Sequence, residues 1–292
     1  MRIAIYGRPF NLDVLPYVQE VFDNLSQHGV DIYVHHQLSD YLNDKIKIVA
    51  YNVLGPDVKI KGFIDLFITL GGDGTLLDMV SVIRNTGVPV IGINFGRLGF
   101  LATINKSDIA AAIFAVVNKD YCLDSRDLIS INSENEVFGD DNFALNDITI
   151  HKRDDAAMII TRVYMDNEFL NAYWGDGIII STPTGSTAYS LSCGGPIIFP
   201  QSNSLVLTPV SPHNLNVRPV VLPDSSTITF EVESRSSNYL VSCDSRTATI
   251  DKTMRFSVQK AGFQLNLVRL SNESYLSTLR NKLLWGLDVR NY

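Results

Sequence analysis

The chain has 292 residues, 46% of them hydrophobic and 19% charged, a globular balance that excludes a disordered or collagen-like chain. Its length points to about two domains. With 24 Lys and Arg against 31 Asp and Glu the net charge is −7, which argues against nucleic acid or an anionic membrane as the main partner, since both are gripped through clustered basic side chains.

The N-terminal residues run directly into a strand-like segment at 2–6, without the apolar core and cleavage site of a signal peptide, so the expectation is a cytoplasmic protein. Residues 13–28 carry apolar side chains at helical spacing (Val14, Val18, Val21, Phe22, Leu25). Strands are expected at 30–34, 63–70 and 88–93, and helices at 76–85 and 107–117. Strands alternating with helices predict a parallel sheet with right-handed crossovers. His35 and His36 fall in or beside a strand and read as surface residues. After about residue 127 the segments turn into short strands, at 145–151, 158–165, 178–182, 227–232, 239–243 and 254–258, with Asp166-Asn167 as a hairpin turn. Helical spacing returns at 273–285. The expected organisation is therefore an α/β domain at 1–126, a β-rich domain at 127–266 and a C-terminal segment at 267–292. Cys122, Cys193 and Cys243 are odd in number and widely spaced, which fits reduced thiols rather than disulfides or a zinc site. No apolar run of the roughly 18 residues needed to span a membrane occurs.

Gly71-Gly72-Asp73-Gly74-Thr75 follows a buried-looking strand and opens a helix. Outward amides and the helix N-terminus favour anions there, the glycines let backbone approach phosphate, and Thr75 is placed to cap the helix. Asp73 is unexpected in a phosphate cradle, where it repels the ligand unless it takes a proton from an attacking hydroxyl or meets a divalent cation. The plainer alternative is a tight turn with a capping Asp. Walker A, G-x-G-x-x-G, protein-kinase, G-x-S-x-G and H-E-x-x-H patterns are absent.

Residues 175–196 form the densest polar stretch, with seven Ser or Thr between Ser181 and Ser192. Hydroxyls and amides with little charge suit a neutral heterocycle and ribose. Ala188 and Tyr189 offer a small wall and a stacking ring.

These two segments together resemble the NAD kinase family. Asn94-Phe-Gly-Arg-Leu-Gly-Phe-Leu101, Leu145-Asn146-Asp147 and the 208–219 segment resemble further family motifs in the same order. The Gly-Gly-Asp-Gly-Thr element alone is shared with phosphofructokinases and lipid kinases. The resemblance implies a phosphofructokinase-like α/β domain, a β-sandwich-like second domain, a C-terminal helix returning to the first, and a nucleotide site between the domains. It implies transfer of the γ-phosphoryl group of ATP, with Mg²⁺ carried by the triphosphate rather than by a side-chain cage, to the 2′-hydroxyl of the adenosine ribose of NAD. Asp73 is then the general base. Gly71, Gly72, Gly74, Thr75 and Arg246 meet phosphate. Asp73, Gly74, Phe100, Asn146, Asp147, Asp176, Thr187, Ala188, Tyr189 and Ser192 meet NAD. A homodimer or homotetramer built on the β-rich domain is implied as well. Competing readings are a non-catalytic dinucleotide sensor and a lipid or sugar kinase sharing the glycine turn.

Trp174 stands where several family members have a basic residue or Gln, which leaves oxidised-versus-reduced preference open, and Asp244-Ser-Arg246 stands where many read Asp-Gly-Gln/Arg. The acidic balance adds a requirement. Phosphates must be met mainly by amides, hydroxyls and Mg²⁺, with help from some of Arg153, Arg162, Arg218 and Arg246.

Overall fold

The computed structural model describes residues 1–43, 45–47, 50–56, 58–153, 158–251, 254–271 and 274–285. They fall into two compact units, Met1–Ser125 with Leu265–Tyr292, and Arg126–Gln264.

In the first unit β1 (Arg2–Gly7), α1 (Leu15–Gln27), β2 (Asp31–His35), α2 (His36–Leu42), β3 (Asn52–Leu54), β4 (Leu66–Leu70), α3 (Asp73–Ile83), β5 (Val90–Asn94), β6 (Ile104–Asn105) and α4 (Ile109–Val117) follow one another. The strands pair in parallel in the order β5-β4-β1-β2-β3, with β6 on β5. β4 and β5 are buried at every residue, as strands covered on both faces must be, which is why they read as continuous apolar runs. One face carries Ile3, Ile5, Leu66, Ile68, Ile91 and Ile93 and packs against Val18, Val21, Phe22 and Leu25 of α1 and Ile109, Ile113 and Val116 of α4. Gly92 alternates to the other face. A Cβ on it would lie 3.3 Å from Leu76 of α3 and 2.7 Å from the Cα of Ala102. A side chain is missing there because the segment at 100–102 crosses directly over the sheet.

The paired histidines depart from their surface reading. β2 ends at His35 and α2 begins at His36, an element the sequence pattern did not show. His35 is buried, its ring centroid 4.3 Å from that of His36 and 5.0 Å from that of Tyr6. Burial first, then His36, pushes its imidazole down to about 4, so it packs as a neutral ring.

The second unit is built from β7 (Cys122–Ser133), β8 (Phe143–Ala144), β9 (Asp147–His151), β10 (Ile159–Met165), β11 (Glu168–Gly175), β12 (Gly177–Ser181), the short α5 (Tyr189–Ser192), β13 (Ser204–Val210), β14 (Val220–Pro223), β15 (Ile228–Glu233), β16 (Asn238–Cys243), β17 (Arg246–Asp251) and β18 (Phe256–Arg269). One antiparallel sheet runs β14-β13-β12-β9-β16-β17, and a second group runs β11-β10-β15-β18. Ile148, Ile150, Ile178, Ile180, Val241 and Cys243 of the first interleave with Val163, Tyr173, Phe230, Val232 and Val258 of the second, the alternation a sandwich requires. β10 and β11 meet at Asp166-Asn167, both at positive φ (51° and 70°), with Met165 opposite Glu168. That is the two-residue turn whose twist matches paired strands. β7 continues through the boundary expected at 126/127.

The end of β18 and α6 (Tyr275–Leu283) group with the first unit, Leu267 lying beside Val90 of β5. α6 is shorter than the 273–285 pattern. Residue 273 lies outside the described residues, and Leu284 at φ 56° closes the helix with a bond from Trp285 N to Arg280 O. Among the described residues no helix is long and apolar enough to cross a membrane.

Gly92→Val should destabilise the protein by about 1–3 kcal/mol, the usual range for overpacking, because the new side chain meets main chain at Ala102. Urea unfolding of both proteins measures this.

Candidate active site

β4 ends at Leu70 and the chain turns through Gly71, whose φ of 146° is open to glycine alone in practice. Its amide donates to Ile93 O (2.9 Å). Gly72 is the N-cap of α3 and has no side chain to cap with, so Thr75 does not cap the helix as its motif position suggested. It lies inside the first turn, buried, its amide bonded to Gly72 O (3.0 Å). Among the described residues the amides of Gly72, Asp73 and Gly74 have no protein acceptor, as the start of a helix dictates, and Gly74 is exposed. The amides this turn leaves without a protein acceptor are thus those of residues 72–74, while the Gly71 and Thr75 amides are bonded within the fold.

Asp73, half-buried, is held by main chain. Its Oδ2 accepts the Phe100 amide (2.8 Å), and its Oδ1 accepts those of Leu101 (3.0 Å) and Ala102 (2.9 Å). An ionised carboxylate has about four acceptor sites, so one direction on Oδ2 stays open to a further donor. A Cβ on Gly99 would come within 1.9 Å of Oδ1, which explains a glycine in this loop. The loop is shaped by buried Asn94, whose Oδ1 accepts Gly96 N (2.9 Å) and whose Nδ2 donates to Arg97 O (2.7 Å). Phe100 is half-buried beside this carboxylate rather than in the core.

The second unit repeats the device. Asp244, in the turn between β16 and β17, accepts Leu145 N on Oδ2 (2.8 Å) and Asn146 N and Asp147 N on Oδ1 (2.8 and 3.2 Å). Asp244 N returns a bond to Asp147 O (3.0 Å). The 145–147 segment is thereby fixed, with Asn146 half-exposed and Asp147 buried at the start of β9. Burial first, then the Asp244 charge, pushes the Asp147 carboxyl up to about 7, opposed by a hydrogen bond from Thr149 (3.0 Å).

Five of the seven hydroxyls between Ser181 and Ser192 are buried, so most of them build the loop rather than face a ligand. Thr182 donates to Leu145 O (2.6 Å) and accepts Gly185 N (3.1 Å). Ser186 donates to Pro183 O (2.6 Å) and accepts Ile198 N (2.9 Å). Thr184 accepts from the buried Arg126 (3.1 Å), and Ser190 bonds Thr208 (2.8 Å). A Cβ on Gly185 would lie 2.0 Å from Asn146 O, so this loop and the 145–147 segment run in direct contact. Thr187 and Ala188 are half-exposed, and Tyr189 and Ser192 are exposed. The Tyr189 phenol is raised by burial, with Cys193, Asp147 and Asp176 acting the same way. Tyr189, Asp147 and Asp176 thus share one electrostatic neighbourhood.

Asp176 is paired with Lys152 (2.8 Å), whose hydrogen bond is the main cause holding its carboxyl below the usual range. A partner in this motif was not legible from the sequence. Arg246, expected at phosphate, donates to Asp141 O and Phe143 O and lies over the Phe143 ring, a clamp on its own unit. The other arginines expected to assist are also engaged. Arg162 meets Glu233 (2.7 Å), Arg153 meets Asn238 (3.0 Å), and Arg218 meets Leu215 O and Val217 O (2.7 and 2.8 Å).

Family models describe residues 3–121 as an ATP-NAD kinase N-terminal domain and residues 145–270 as an ATP-NAD kinase C-terminal domain. The NAD kinase of Cytophaga hutchinsonii is 44% identical over the whole of both chains, and that of Flavobacterium psychrophilum 42% identical over the whole of both. The NAD kinase of Bacteroides fragilis is 38% identical over 99% of this chain and all of its own. In fold, the chain is similar to yeast NADH kinase complexed with NADH (TM-score 0.88, 24% identity, covering all of this chain and 89% of that one). It is also similar to an Archaeoglobus fulgidus NAD kinase in complex with ATP (TM-score 0.75, 23% identity, covering 96% of this chain and 99% of that one). Two family domains in order and relatives matched along their full length establish that the chain belongs to the ATP-NAD kinase family.

Proposed function

We propose that this chain transfers the γ-phosphoryl group of ATP to the 2′-hydroxyl of the adenosine ribose of NAD, with Asp73 as general base. The observation that carries this reading is the placement of Asp73. Its carboxylate, locked by three amides, sits at the head of a helix whose first amides have no protein acceptor. A proton acceptor and an anion cradle are then adjacent. The ribose oxygen attacks phosphorus, the bridging P–O bond to ADP breaks, and the hydroxyl proton passes to Asp73. The transition state of such a transfer is loose, so positioning and charge neutralisation supply most of the acceleration and proton removal can lag.

The Asn146–Asp147 segment and the exposed face of residues 187–192 suit the dinucleotide. Asp147 as a carboxylate accepts from two ribose hydroxyls, Tyr189 offers a ring for stacking, and the Asp176–Lys152 pair presents charge beside it. Among the described residues no group of three or more His, Cys, Asp or Glu side chains is arranged to hold a metal ion. Mg²⁺ belongs in this reading on the triphosphate, whose oxygens are the hard ligands it prefers and whose charge it neutralises. A cytoplasmic homodimer or homotetramer assembled through the second unit completes the reading.

Asp73→Asn should lower NADP formation by about 10²–10⁴-fold, the range for loss of a general base, with the dissociation constant for NAD changed less than about threefold. Turnover like wild type would remove Asp73 from the role. A second test uses pH. Because Asp147 titrates near 7, its carboxylate form grows as pH rises from 6 to 8, so NAD should bind more tightly at pH 8. The free fold behaves oppositely. A carboxyl raised above its unfolded value contributes stability below that value, which is lost as pH rises through 7. Asp147→Asn should flatten both trends, read by calorimetric titration with NAD and by thermal unfolding across pH 4–8.

A further inference from the structure

We propose that Arg269 is a positioning residue for Asp73, acting through the peptide unit that joins Phe100 and Leu101. In a trans peptide the carbonyl and the N–H point in opposite directions. Here the Phe100 carbonyl accepts from Arg269 Nη2 (3.4 Å), while the Leu101 N–H donates to Asp73 Oδ1 (3.0 Å). One peptide dipole therefore lies between a guanidinium and the reacting carboxylate, aligned with both charges.

The guanidinium is itself fixed. Arg269 Nε pairs with Asp124 Oδ2 at 3.2 Å, and the two side chains are 11% and 15% exposed. A pair so shielded keeps its geometry, where an exposed one would be loosened by solvent. The same returning segment supplies a second cation to this loop, Lys282 of α6 donating to Leu98 O. Residues 98–102 are thus held on their carbonyl side by two cations from the C-terminal segment and on their amide side by Asp73. Among the described residues the loop's other hydrogen bonds, through Asn94 and from Gly99 N to Ala102 O (3.1 Å), stay within residues 94–102. Arg269 lies outside every motif that pointed to the site, and the reaction as proposed gives it no contact with substrate.

The inference rests on the Asp73 reading, and the test separates the two. Arg269→Met keeps an unbranched stem and loses all donors. It should fold, lower kcat about 10–100-fold through misplacement of the carboxylate, and leave KM for NAD within about twofold. Arg269→Lys, which restores a cation, should recover a large part of kcat, a rescue that general loosening of the fold would not give. In the Asp73→Asn background Arg269→Met should cost no further kcat, because both changes act on one group. Full kcat in folded Arg269→Met, or an undiminished further loss in the double variant, overturns the inference. If Asp73→Asn alone turns over normally, the Asp73 reading fails instead. Should circular dichroism show Arg269→Met unfolded, Arg269→Gln, a polar side chain too short to span from Asp124 to the Phe100 carbonyl, takes its place, with kcat expected to drop about tenfold. Unchanged kcat there would also overturn the inference.

Discussion

A carboxylate accepting three consecutive main-chain amides organises each unit around its candidate site. Asp73 does this for residues 100–102 and Asp244 for residues 145–147, with the same division of one amide on Oδ2 and two on Oδ1. Hydrogen bonds to a charged acceptor are roughly twice as strong as neutral ones, and three on one group fix both the carboxylate and the segment it holds. The two uses differ in solvation. Asp73 is half-buried with one acceptor direction open, whereas Asp244 is deeply buried and its carboxyl is raised by that burial. The first can meet a substrate group. The second can only build, and what it builds is the setting of Asp147.

Local patterns carried much of the architecture. The apolar runs at β4 and β5, the spacing of Val18, Val21, Phe22 and Leu25 in α1, and the Asp166-Asn167 turn each state their structure within a few residues. The ordered motifs were sufficient for the family. Illegible were the bonds that link distant parts of the chain. Nothing local indicates that Asp73 is tied to residues 100–102, or that Thr182 and Gly185 lie against Leu145 and Asn146. The hydroxyl-rich stretch shows the same limit. A Ser or Thr that lines a ligand and one that braces a loop are the same letter, and burial decides between them. His35 shows the converse, a polar residue at a strand end that packs as a neutral aromatic because α2 turns back immediately after it.

Glycine positions and these carboxylates form one design. Gly99 leaves room for the Asp73 oxygens, Gly92 lets residues 100–102 cross the sheet, and Gly185 lets its loop touch the main chain of Asn146. Each side chain is absent where a backbone must approach a charged group or another backbone closely. These three approaches lie at segments the proposed chemistry uses, where a displacement of about 1 Å is costly.

The net charge of −7 then has a structural counterpart. The arginines that seemed available for phosphate are engaged with carbonyls, an amide or a glutamate, and Asp176 has its own lysine. In the first unit the head of α3 presents amide dipoles, the amides of residues 72–74 having no protein acceptor among the described residues. Amides differ from lysines in a way that matters for transfer. Their partial charges are fixed by the backbone and need no rearrangement as charge moves from the attacked phosphorus to the leaving group. A flexible cation would follow the charge and lose entropy in doing so, whereas the helix start is already ordered by the buried faces of Leu76, Met79 and Val80. In the proposed reading, ordering that is complete before the ligand arrives is what lets an acidic protein take a polyanion beside Asp73, with the carboxylate kept in place by donors of its own.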